Sequence, residues 1–207
     1  MAGAGLALPI VTMSEAQAYV RIETGEEEAI LAGLIRTASA LCESFINQVV
    51  IARPFTLAVP TSGQWERFQI TPVRSITDVS SVDASGAATV LPAGSYEIDI
   101  DSTGDGWVRV TQSPFVLTSL AASNGSATAT IDPSDGSLLA GQGSGALRLQ
   151  VSGSAGMADD ENDVPEPIRQ GVLRLVAHLF TVRDGDGGEP PAAVTALWRP
   201  YRRMRMA

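Results

Sequence analysis

The 207-residue chain contains no lysine, one histidine, one cysteine and only 5% aromatic residues. Each scarcity removes a class of function. A single cysteine, Cys42, cannot close an internal disulfide, and one cysteine with one histidine cannot furnish a closed zinc site. Without lysine the glycine-rich "GQGSG" cannot be a phosphate-binding Walker loop, and it lacks the strand-to-helix setting of a dinucleotide fingerprint. The all-arginine basic set is read as coding bias, and no function rests on it. No window is expected to approach the roughly 20 apolar residues that span a bilayer, and the apolar opening "MAGAGLALPIV" lacks the basic stretch of a secretory signal. The expectation is a chain made in the cytoplasm, with Leu, Val, Ile and Ala filling its interior.

Catalytic readings lack parts. His178 lies beside Leu175 and Leu179 on a helical stripe, which favours a structural or interface role over acid-base work. Cys42 sits on the apolar face of a helix with the pattern of a small core residue. The acidic turn "DIDSTGDG" offers Asp99, Asp101 and Asp105 as oxygen ligands. An EF-hand loop starting at Asp99, however, would need an acid or Asn at Thr103 and a bidentate glutamate at Val110. It reads as a charged β-turn. The 23 acids always permit some carboxylate pair, and none is singled out. The expectation is no enzyme, no metal and no cofactor.

What is present is organised. Ser14 with Gln17, and Thr24 with Glu27, have the spacing of two capping boxes. After the second, Ile30, Leu31, Leu34, Ile35, Ala38, Leu41, Cys42, Phe45 and Ile46 recur at three- and four-residue intervals. From Pro54 to about Val110 short β-rich runs ("FTLAV", "RFQI", "SITDVSSV", "YEIDI", "WVRVT") alternate with turn residues and read as hairpins, with a corner at Thr71-Pro72-Val73. Residues 113–145 are rich in Ser, Ala and Gly and read as a partly flexible insertion before "ALRLQV". Pro165-Glu166-Pro167 opens a second helical stripe through Ile168, Val172, Leu175, Val176 and Leu179, and Pro190-Pro191 opens the short run "AAVTALW", stopped by Pro200. The predicted fold class is α+β: a small helical bundle with inserted β-hairpins and an extended C-terminal arm. Helices are expected at about 14–47 and 166–183, a β-rich insertion at about 54–151, a single domain over 1–197 and the arm over 198–207.

Four stretches together carry a family likeness. They are "TMSEAQAYVRIETGEEEAILAGLIRTASALCESFI", "FQITPVRSITDVSSVDASG…VLPAGSYEID", "VPEPIRQGVLRLVAHLFTVRDG" and "PPAAVTALWRPYR". In this order they resemble the head-tail connector, or adaptor, proteins of long-tailed bacteriophages and related gene transfer agents. Gly171 departs from the third motif, being a poor helix residue inside it. The resemblance implies a structural ring, usually of twelve copies, in the neck of a phage-like particle. Its partners would be the portal protein above and the next neck, stopper or tail protein below, with DNA passing through without specific binding and no membrane involved. A stopper or tail-completion protein is the neighbouring alternative, and a carbohydrate- or surface-binding module the more distant one.

Charge is divided unevenly. Residues 1–189 hold 10 arginines against 23 acids, a charge of −13, whereas the remainder carries four arginines and no acid. Trp198, Pro200 and Tyr201 are rigid anchors, Arg199, Arg202, Arg203 and Arg205 can pair with carboxylates, and Met204 adapts to irregular grooves. The favoured expectation is an arm, Trp198 to Arg205, that docks on the portal. Packing of Trp198 and Tyr201 on the chain's own helices, or arginine contact with DNA, are the other readings.

Overall fold

The computed structural model describes residues 5–22, 27–61, 63–82, 86–111, 148–182 and 190–203, and the backbone alone of 130–131 and 138–139. The chain divides into two compact units. One is built from Gly5–Arg53, Ile70–Pro72 and Ala155–Ala207, the other chiefly from Pro54–Gln69 and Val73–Ser154.

The first unit is helical, with α1 (Met13–Val20), α2 (Glu28–Ile46), α3 (Glu166–Thr181), α4 (Ala192–Trp198) and a 3-10 turn (Arg199–Tyr201). Thr12 and Glu15 form a reciprocal capping box at α1, two residues before the expected Ser14–Gln17 pair. At α2, Thr24 lies outside the described residues, and the N-cap is Glu27, with no side-chain cap. The apolar stripe of α2 enters the core as Leu31, Ile35, Ala38, Cys42 and Ile46. That of α3 enters as Ile168, Val172, Leu175 and Val176, and the two helices pack on each other. By length and composition α2 is apolar enough to cross a bilayer, which corrects the expectation that no segment comes close. Its stripe belongs to a protein core shared with α1, α3 and α4.

The second unit is made of strands. β1 (Arg53–Val59), β9 (Arg148–Ala155), β3 (Val73–Val82) and β4 (Ala88–Val90) make one sheet in that order. β2 (Glu66–Arg67), β6 (Gly106–Val110) and β5 (Tyr96–Ile100) make a second. β7 (Thr130–Ile131) and β8 (Leu138–Leu139) pair with each other. The antiparallel pairs β3–β4 and β5–β6 join strands consecutive in the chain. β9, however, inserts between β1 and β3, a placement set by strands far apart in the chain. Gly153 of β9 permits this approach, because a Cβ there would fall 2.2 Å from the Ser75 carbonyl oxygen. Only β7 and β8 of the 113–145 insertion are described, so the flexibility expected of it falls outside the described residues.

Candidate partner-binding surface

Residues 198–203, the described part of the segment expected to reach outward, fold back on their own unit, which corrects the arm as an extended element there. Pro191 starts α4, and the four-residue spacing of Val194 and Trp198 puts both on its inner face. Trp198 is only 3% exposed. Its indole occupies a slot on α3 at Gly171, where a Cβ would sit 2.1 Å from Trp198 Nε1. That Nε1 donates to the Ile168 carbonyl at 3.2 Å, and the indole meets the Phe45 ring with centroids 5.9 Å apart. The glycine that breaks the helical pattern of α3 is thus the seat of the tryptophan, and the physical reason for the fold-back is shape: an indole buried with its N–H satisfied outweighs one left in water.

The following residues are held as well. Gln48 Nε2 donates to the Tyr201 carbonyl at 2.5 Å, and Tyr201 is half-buried against the core. The Arg203 N–H donates to the Ile46 carbonyl at 2.9 Å, satisfying one of the carbonyls left over at the end of α2. Its guanidinium donates to Thr71 Oγ1 at 3.1 Å. The Arg202 guanidinium stands 5.4 Å from the Phe45 ring centroid. Two of the four tail arginines therefore serve their own fold, beside the negative end of α2 where cations are favoured. What faces outward is Arg199, Pro200 and Arg202. Met204 and Arg205 lie outside the described residues. Gln48 was not singled out by sequence, and Phe45 only as a member of the α2 stripe; a glycine within the α3 stripe and a tryptophan ending a short helix were the available signals of this contact.

The other candidates have structural employment. Cys42 is fully buried, and that burial, with the adjacent Glu43 carboxylate, pushes its thiol far above the ordinary range, so it is no thiolate nucleophile. His178 is half-buried in the last turn of α3, where its carbonyl accepts from Val182 N–H. Asp101 Oδ1 accepts from Thr103 N–H, Thr103 Oγ1–H and Asp105 N–H at 2.7–2.9 Å, which is turn chemistry, and Asp105 pairs with Arg67. At Glu15 burial alone would raise the carboxyl's pKa, but hydrogen bonds from the Thr12 N–H and hydroxyl and the Arg169 charge hold it below the usual value. Among the described residues no group of three His, Cys, Asp or Glu is placed to hold a metal ion.

No protein-family model and no curated protein matches the chain. Solved structures do match by fold, and each match covers 100% of this chain and 97% of the other. A chain in the neck of an empty gene transfer agent particle, computed with C6 symmetry, aligns with a TM-score of 0.69 at 23% identity. One in the virion of a native gene transfer agent particle aligns at 0.68 and 22%. One in the neck of the native particle, computed with C12 symmetry, aligns at 0.67 and 21%. At these identities the likeness is one of fold, and it runs the whole length of the chain.

Proposed function

We propose that this protein is a structural, ring-forming component of the neck of a phage-like particle, acting as the adaptor between the portal and the next neck or tail protein. The observation that carries the reading is the end-to-end match to neck chains: both units, not one shared motif, have counterparts there. The C6 and C12 symmetry of those assemblies supports a ring, with twelve copies the expected number. Among the described residues Asp101 and Asp105 are engaged in a turn and an ion pair, and Cys42 is buried in the core, which suits a scaffold. The acidic body suits a conduit along which DNA slides without being held by phosphate contacts.

Within this reading the portal-facing patch is smaller than the whole arm. Trp198 and Tyr201 anchor the patch from beneath, while Arg199, Pro200 and Arg202 present it. The chain is co-expressed with the portal protein of the same particle and imaged by negative stain. Twelvefold rings seated on portal are the expected result. A chain that stays monomeric with portal overturns the ring, and one that binds only beneath an already assembled adaptor moves it to the stopper position. An Arg199→Glu/Arg202→Glu variant should fold and lose portal, and retained binding rejects the patch.

A further inference from the structure

The helical unit holds a second surface with partner chemistry. A cleft of about 440 Å³ opens between the Leu8–Met13 segment, the middle of α2 and the turn at Asp159–Glu161. Its floor is apolar: Val11, Ile35 and Ile51 are all buried. One rim carries Asp159, Asp160 and Glu161, the first two exposed and the third half-buried, and Arg36 stands on the lining too. An apolar trough edged by three carboxylates and one guanidinium selects a segment that alternates flexible apolar side chains with positive charge.

Residues 204–207, Met-Arg-Met-Ala, have that composition: a guanidinium between two thioethers. Within one chain they fall short. Arg203 is tied to Ile46, and Arg36 lies ten residues up α2, about 15 Å along the axis. Four extended residues span at most about 14 Å, which does not carry them to the Arg36 end of the trough. We propose that the cleft receives residues 204–207 of a second copy, so that each copy grips the next. A donor segment and an acceptor cleft at different places on one chain make a head-to-tail contact, the kind that closes into rings. This inference rests on the ring reading above and names the contact between its copies.

A fluorescent peptide of residues 202–207 is titrated into the full-length chain and followed by anisotropy. Saturable binding is expected. It should weaken at least about tenfold in an Asp160→Asn/Glu161→Gln variant, which removes rim charge but keeps an oxygen to accept from the Asn162 N–H. An Asp78→Arg variant, altered on β3, should bind as the parent does. Absent binding, or binding indifferent to the rim charges, overturns the proposal. In a Leu8→Cys/Met206→Cys chain a bismaleimide should give a ladder of linked copies, and an internal loop or an unlinked monomer rejects a second copy as the occupant. Rings on portal that persist in the rim variant reject this contact and leave the ring reading standing. Failure of the parent to form rings rejects the ring reading, while the peptide titration still reports on the cleft.

Discussion

The two units deploy their tryptophans in opposite ways. In the helical unit Trp198 is driven into a glycine-floored slot and is nearly inaccessible. In the β-rich unit Trp65 is 40% exposed and Trp107 half-buried, on one face of the β2–β6–β5 sheet. There Arg109 stacks 4.9 Å from the Trp65 centroid and pairs with Glu97 at 2.5 Å, and Arg67 pairs with Asp105 beside Trp107. The difference teaches where specificity resides. The helical unit is keyed by one shape that fits one place. The β-rich face is a ladder of stacked and paired side chains, each worth little alone because solvent competes for every rung.

Trp198→Ala puts this contrast under the greatest strain, and should cost about 3–5 kcal/mol in urea denaturation followed by circular dichroism. A chain shortened after Leu197 should lose the fold of its helical unit, so tests of portal binding need the chain at least to Arg203. Next comes Gly171→Ala, which should destabilise by about 1–3 kcal/mol through the clash with the indole. The same change made on top of Trp198→Ala should become neutral or stabilising by up to about 1 kcal/mol, since alanine is then simply the better helix former. Additive costs in that cycle would dissolve the lock.

A smaller effect is expected at Glu15. Its carboxyl is held below the usual value by Thr12 and Arg169, so it contributes stability above the unfolded-state pKa and loses it as pH falls through the folded one. The melting-temperature gap between the parent and Glu15→Gln should be open at neutral pH and close below about pH 4. A gap that widens in acid contradicts the assignment. The least change is expected from Trp65→Ala, at most about 1 kcal/mol, measured by the same denaturation. A cost approaching that of Trp198→Ala would erase the distinction between the units.

What could be read from sequence follows the range of the interaction that carries it. The stripes of α2 and α3 were legible because helical periodicity is written within a few residues, and Pro165 and Pro191 marked helix starts for the same local reason. The place of β9 between β1 and β3 was not, because pairing across about a hundred residues leaves no local mark. At the candidate site the residue types were legible and their partners were not. An aromatic, arginine-rich segment has the same composition whether its pocket is on another protein or on α3. Gly171 drew notice as a poor helix residue, yet its meaning lies in a side chain 27 positions away.

The tie between Arg203 and Ile46 bears on how the protein is born. Residues 198–203 help complete the interior of the helical unit, so that unit waits until they have been synthesised. The strands of 54–154 have by then left the ribosome and are free to pair. Synthesis thus imposes a schedule in which the inserted β-rich unit matures first, and the flanking helices close only when residues 198–203 arrive to latch them.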